Sequence, residues 1–289
     1  MASKAKSGLS TTSLSKSVFN YGLGLSAALL LSACAALEAP EPIESFTAEE
    51  IYQQAEVKLD EENPDQAASL FAEVERLYPY SDLAKRAVIM QAFSYHKDRD
   101  YENSRTAAQR YIDFYPADED AAYAQYLLAL SYYDQIDEVG RDQGLTFQAL
   151  QSLRTVIERY PESEYARSSI LKFDLAFDHL AAKEMEIGRY YLRKGHYPAA
   201  INRFSVVVAD FQTTTHTAEA LHRLVESYLS LGLTQEAQTA GAILGHNFRS
   251  TEWYEDSFKL LTGRGLELEA VGDNWLAQIY RQTIQGKWL

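Results

Sequence analysis

The chain has 289 residues, 46% of them hydrophobic and 24% charged, with only 14 Gly and 7 Pro. That is a globular composition and excludes disorder or low-complexity structure. Its 41 acidic and 27 basic side chains give a net charge of −14, which disfavours nucleic-acid binding, and its single cysteine excludes a disulfide framework or a multi-cysteine zinc site.

Lys4, Lys6 and Lys16 are the only charged residues before Glu38. They precede an apolar run, Tyr21 to Leu31, of eleven residues. Such a run fits a signal-peptide core and falls short of the roughly 20 residues of a membrane-spanning helix. It leads directly into Leu31-Ser32-Ala33-Cys34. This arrangement resembles a bacterial lipobox, in which the cysteine is diacylated, the chain is cleaved before it, and the new amine is acylated. A soluble secreted protein with an incidental cysteine is the alternative, but the only Cys of the chain stands at the position the chemistry needs. Three acyl chains exceed the two signals that stable anchoring takes. Ala35 stands where an inner-membrane retention signal would have Asp, so the expected location is the periplasmic face of the outer membrane. Residues 1–33 then read as a signal peptide, and residues 34–45, with Pro40 and Pro42, as a lipid-attached tether.

From residue 46 onward a 3.6-residue apolar period runs almost throughout, with no clean strand alternation. Tyr78-Pro79, Tyr115-Pro116 and Tyr160-Pro161 each follow an amphipathic stretch, as do Phe211 and Phe248. These five anchors are spaced by 37, 45, 51 and 37 residues. Four positions before them stand Val74, Tyr111, Val156, Val207 and Leu244; seven before, Phe71, Ala108, Leu153, Phe204 and Gly241. Eleven before stand the small residues Ala67, Ser104, Ala149, Ala200 and Ala237. Further back, Ala55, Ala92, Ala129, Gly188 and Val225 share one place, and Gly144, Gly195 and Gly232 suit tight turns sixteen before the last three anchors. Small residues let helices cross closely while large apolar ones fill the adjacent holes. The pattern predicts an all-α array of about five helix–turn–helix repeats and is similar to the tetratricopeptide-repeat family. Much of the excess of tyrosine, 20 residues, is thereby expected in inter-helix packing.

Two insertions interrupt the register. Repeat three carries eight extra residues within Asp134 to Gly144, read as a tolerated surface loop. Repeat four carries fourteen, close to four helical turns, which predicts one long helix over Ser163 to Lys194. Ala166, Ile170, Phe173, Phe177 and Leu180 form its expected buried seam, leaving Leu171 and Leu175 on another side for a partner. Thr251 to Leu261 reads as a capping helix burying Tyr254, Phe258 and Leu261. After Gly263-Arg264-Gly265, residues Trp275, Leu276, Ile279, Tyr280 and Ile284 form either a short amphipathic element or a frayed tail.

No catalytic constellation emerges. The chain has no nucleophile elbow and no phosphate loop, and Gly263-Arg264-Gly265 lacks the rest of a dinucleotide fingerprint. His222 and Glu226 share a helix face but have no third ligand in sequence, so they read as a surface pair rather than a metal site. No cofactor or metal is expected. A metal-dependent enzyme or regulator built on that pair is the competing reading.

The lipobox, the repeat endings Arg76-Leu77-Tyr78-Pro79-Tyr80-Ser81 and Glu158-Arg159-Tyr160-Pro161-Glu162-Ser163, and the long fourth-repeat helix together resemble the BamD (ComL) family of outer-membrane assembly lipoproteins. The resemblance implies a non-enzymatic component of the β-barrel assembly machinery. It implies, as partners, the barrel insertase BamA, smaller assembly lipoproteins and unfolded outer-membrane protein precursors. It further implies that N-terminal repeats (residues 46–161) receive a substrate's terminal strand and that residues 162–262 dock the partner, with 263–289 a tail. In repeat arrays of this kind the first helix of each repeat lines the concave groove. Mapped by offset, the substrate end of that groove presents Tyr52, Phe93, Tyr123, Tyr126 and Tyr133. The other end presents the more polar Met185, Arg189, Glu219, His222 and Glu226, so Arg189, His222 and Glu226 join Leu171 and Leu175 as expected docking residues. A scaffold for peptidoglycan or division enzymes is the alternative function of the same fold.

Overall fold

A computed structural model of the chain describes residues 41–269 and 275–283. Cys34 with its lipobox, residues 35–40 of the tether and Ile284 lie outside the described residues. The chain divides into two units, Met1–Thr47 and Ala48–Leu289. Of the first, the described part holds a single 3-10 turn, Ile43–Ser45.

The described residues of the second unit form twelve α-helices and no strand. Repeat one pairs α1 (Ala48–Asp60) with α2 (Pro64–Leu77), and repeat two pairs α3 (Asp82–Lys97) with α4 (Tyr101–Phe114). Repeat three pairs α5 (Ala121–Tyr133) with α6 (Gly144–Arg159), and repeat four pairs α7 (Glu164–Arg193) with α8 (Tyr197–Asp210). Repeat five pairs α9 (Thr217–Leu231) with α10 (Thr234–Asn247), followed by α11 (Glu252–Thr262) and α12 (Trp275–Thr283). Each helix from α1 to α10 packs on its successor, α12 packs on α10, and the first helices of repeats one to four also touch one another in turn.

The five anchors share one physical job. The amide N–H of Tyr78, Tyr115, Tyr160, Phe211 and Phe248 donates to the carbonyl four residues earlier, at 2.8–3.0 Å, closing the second helix of each repeat. Each anchor carbonyl then accepts from the amide three residues later (Ser81, Asp118, Ser163, Thr214 and Thr251), which turns the chain toward the next helix. Ser81, Ser163 and Thr251 also cap the helix that follows, accepting from Ala84, Ala166 and Tyr254. The small residues eleven before the anchors are all fully buried, which is the close crossing the sequence called for.

The turn inside each repeat is more uniform than its sequence. Glu62, Arg99, Gly195 and Gly232 occupy one repeat position and all adopt left-handed backbone, with φ between 60° and 76°. Each closes a Schellman motif: the amide of the next residue bonds the carbonyl of Lys58, Tyr95, Tyr191 or Tyr228, five residues back. Two of the four positions thus hold a side chain where glycine is easier. Gly144 departs from the expectation, because the eight-residue insertion replaces this turn. It opens α6 instead, its N–H bonded to Asp142 Oδ2 at 3.1 Å. Gly265 makes the same left-handed cap after α11.

The two insertions meet each other. Lys183 Nζ on the lengthened α7 donates to the Gly140 carbonyl at 2.6 Å, and the His179 ring lies 3.0 Å from Gln143 Oε1. Ile136 of the loop packs with Phe173, Phe177 and Leu180. The loop is therefore pinned to the long helix rather than being a free surface excursion. Along the expected seam of α7, Ala166 and Leu180 are buried and Phe173 and Phe177 half-buried, but Ile170 is 46% exposed; Ser169 and Ala176 take the buried places.

On α11 the expected face is shifted. Leu261 and Ser257 are fully buried and Trp253 and Tyr254 half-buried, whereas Phe258 is 46% exposed. The tail element is ordered as α12, with Leu276 fully buried in the core of repeats four and five and Trp275 Nε1 donating to Tyr228 Oη at 3.2 Å.

Candidate docking surfaces

Aromatic side chains gather on the first helices of repeats one to four. Tyr52 on α1 is half-buried, edge-on to Phe71 at 5.1 Å. Phe93 on α3 packs against the core of repeats two and three, with Lys97 Nζ 6.0 Å from its ring. On α5, Tyr123 and Tyr126 both face Tyr165 of α7, with ring centroids 5.1 and 5.4 Å apart. Tyr126 and Tyr133 flank a small core of Ala129, Leu153 and Val156 together with Tyr165 and Phe173. Burial is the main cause pushing the Tyr123 phenol up to about 12, reinforced by Tyr165, Tyr126 and Asp120, so it stays neutral at ordinary pH. Tyr123, Tyr126, Tyr133 and Tyr165 thus form one contiguous cluster across α5 and α7, while Tyr52 and Phe93 stand on earlier helices. Tyr165 and Lys172 are additions the offset mapping missed, because it counted back from Phe211 across the insertion. Counting forward from the capping Ser163 would have placed Tyr165 at the start of the groove-lining helix.

The C-terminal end is a network of paired charges. Glu219 is 9% exposed and binds Arg189 with both carboxylate oxygens, while Arg223 reaches it at 3.3 Å and Glu226 at 2.8 Å. Burial alone would raise the Glu219 carboxyl, but hydrogen bonds and charge from Arg189 and Arg223 outweigh it and hold it below its usual range. Arg223 also stacks over Trp253 at 5.2 Å. His222 corrects the sequence reading of a surface pair. It is 4% exposed, its Nδ1 lies 2.8 Å from Ser257 Oγ, and its ring packs on Trp253. The capping helix covers it, so the imidazole is not presented to a docking partner. Burial lowers the pKa of this imidazole, against a partial rise from Glu226 at 3.7 Å. Arg189 and Glu226 keep partly exposed side chains but are committed to this network. Among the described residues, no group of three His, Cys, Asp or Glu is placed to hold a metal ion.

Leu171 and Leu175, one turn apart on α7, are 64% and 62% exposed, next to Ile170. Leu175 lines a cavity of about 310 Å³ together with Asp174, Phe177, Asp178 and Thr213 to Thr215.

Residues 44–243 match a protein family described as YfiO, outer membrane lipoprotein. The chain belongs to this family. It is 46% identical over 216 residues to the outer membrane protein assembly factor BamD of Caulobacter vibrioides, covering 75% of this chain and 71% of that one. It is 42% identical to the protein of the same name in Rickettsia prowazekii, over 73% and 84% of the two chains. At 28% identity it is similar to that of Neisseria meningitidis serogroup A, over 78% and 90%. The family match covers the first helices of repeats one to four, including α5 and α7 with the aromatic cluster, and ends within α10, so α11 and α12 lie beyond it.

Proposed function

We propose that this chain is a non-enzymatic assembly factor of the outer membrane, anchored through lipid on Cys34 at the periplasmic face. It binds unfolded β-barrel precursors and a barrel insertase of the BamA type. The observation that carries the reading is the aromatic cluster of Tyr123, Tyr126, Tyr133 and Tyr165 within a chain of the YfiO family. Aromatic faces suit an extended apolar segment because stacking and apolar burial require no fixed side-chain code. Tyr52 and Phe93 extend the apolar path along α1 and α3 toward repeat one. Exposed Leu171 and Leu175 supply a second, separate surface for a folded partner.

A pull-down from detergent-solubilised membranes tests the assignment. Recovery of a stoichiometric outer-membrane barrel that carries periplasmic repeat domains is the expected result. Recovery of peptidoglycan or division enzymes in its place overturns it and leaves only the fold.

A further inference from the structure

The tail helix lies outside the repeat pattern. Helix α12 has nine residues, below the roughly 12–15 at which an isolated helix becomes even marginal, so it is ordered by what it lies on. It packs on α10, with Leu276 and Ala277 buried, Ile279 half-buried, and Trp275 Nε1 donating to Tyr228 Oη of α9 at 3.2 Å. Its seat is the groove between α8 and α10, the second helices of repeats four and five, over the start of α9. The fit is incomplete, because Ile279 borders an open cavity of about 340 Å³ lined by Val208 of α8, Leu221 of α9, and Ile243 and Phe248 of α10.

The same groove stands open one repeat earlier. Leu180 and Phe211, 37 residues before Thr217 and Phe248, line a cavity of about 390 Å³ with Phe147, Leu150 and Phe177, and Phe147 is 60% exposed there. The array therefore builds such a groove whether or not a helix fills it. The chain leading to α12 is itself pinned: the Glu267 carbonyl accepts from Gln238 Nε2 at 3.0 Å, and Leu268 packs on the core of repeats four and five. Only residues 269–274 separate that point from α12.

We propose that the groove between α8 and α10 receives an amphipathic helix of a partner protein, and that α12 holds the place until that helix displaces it. The incoming helix presents apolar side chains where α12 has Trp275, Leu276 and Ile279, with a larger one at the Ile279 place that enters the cavity. A helix of more than nine residues also starts with more of its own helical stability than α12 has. The pinned strap through Leu268 keeps α12 beside the groove after release, so the exchange is reversible. This site is separate from the aromatic cluster of α5 and α7 and from Leu171 and Leu175, and it does not depend on either.

The test is fluorescence anisotropy with a labelled peptide of residues 272–289, titrated with the detergent-solubilised full chain and with its Leu276→Asp, Ile279→Asp double variant. The variant, whose own α12 is dislodged, is expected to capture the peptide. The unaltered chain is expected to bind it about tenfold more weakly, because a short tether keeps its own helix at a high effective concentration. A peptide carrying Ile279→Phe is expected to bind about fourfold more tightly than its parent, the value of one further buried methylene group. A peptide carrying both Asp substitutions binds neither chain. Circular dichroism confirms that the variant keeps its repeat helices. Absence of binding to the variant, equal binding to both chains, or capture of the Asp-carrying peptide overturns the proposal; an Ile279→Phe peptide no tighter than its parent overturns the larger side chain of the partner. Amide exchange on the unaltered chain adds a measure that no substitution disturbs. Helix α12 is expected to exchange well before α9 and α10, and exchange of all three in one event shows a fixed part of the core and overturns the exchange of occupants.

Discussion

Gly188 on α7 tests the close-packing logic of the whole array. A Cβ built there lies 2.5, 2.8 and 2.9 Å from Cε1, Cδ1 and Cζ of Phe204, well inside ordinary contact. The Phe204 ring is fully buried among Met185, Ala200 and Leu224, so it has nowhere to move without shifting α8. Overpacking of this kind costs roughly 1–3 kcal/mol, while replacing a helical Gly by Ala returns up to about 1 kcal/mol. Gly188→Ala is therefore expected to destabilise by about 1–2 kcal/mol, a fall of a few degrees in melting temperature for an array of this size. Phe204→Leu alone leaves a cavity and costs a further 1–2 kcal/mol or so. Together the two changes relieve each other, because the new methyl enters the space the ring vacates. Repeat three already carries that combination at the same positions, as Ala129 and Leu153, both fully buried. Thermal unfolding followed by circular dichroism measures the cycle. A neutral Gly188→Ala, or a double variant whose loss is the plain sum of the two singles, refutes the argument.

The left-handed turn position gives a second pair of expectations. Gly195→Ala and Gly232→Ala meet no atom within 4 Å, so their cost of about 1 kcal/mol is backbone strain alone, while Glu62→Gly and Arg99→Gly each stabilise by up to about 1 kcal/mol in denaturant melts. Asp118 is held down to about 2 from its ordinary 3.8 by hydrogen bonds from Lys85 and Tyr111. Its folded pKa is depressed, so its contribution is complete above the unfolded value and is lost as pH falls toward about 2; Asp118→Asn should lower stability at neutral pH and flatten the acid limb between those values. Phe93→Ala combined with Tyr126→Ala is expected to abolish crosslinking of a barrel-terminal peptide without loss of helix content, and unchanged crosslinking refutes the groove. Leu171→Glu with Leu175→Glu is expected to leave the melting temperature unchanged, since both side chains face solvent, and to remove the membrane partner from the pull-down.

The repeat pattern was legible because packing period and turn chemistry leave marks at fixed offsets: the anchors, the small residues eleven before them and the long α7 all stand where the spacing placed them. What the sequence hid has identifiable causes. Glu62 and Arg99 adopt a glycine conformation because the Schellman bonds of the turn override side-chain preference. Gly144 has the glycine but not the turn, since the insertion rerouted the chain. His222 was read as a surface group because α11, which covers it, is remote in sequence and touches it through Ser257 and Trp253. Phe258 lost its buried place to Ser257, a small residue whose burial no hydrophobic pattern announces. Tyr165 and Lys172 join the groove across an inter-repeat interface, a pairing that spacing within one repeat does not encode.

Arrays of short repeats ordinarily transmit little beyond the next neighbour, because each unit touches only the units beside it. Helix α7 draws both of its neighbouring repeats onto one long element. Its first half carries Tyr165 and Lys172 into the ring cluster of repeat three, and its last turns carry Met185, Gly188 and Arg189 into the core shared by repeats four and five. A single unbroken rod of 30 residues is common property of both halves. Repeats three and five consequently share one stiff member between them, and a load applied at the rings arrives at the charged network as a tilt of the same helix. Amide exchange along α7 should accordingly report one opening event for the rod, not two.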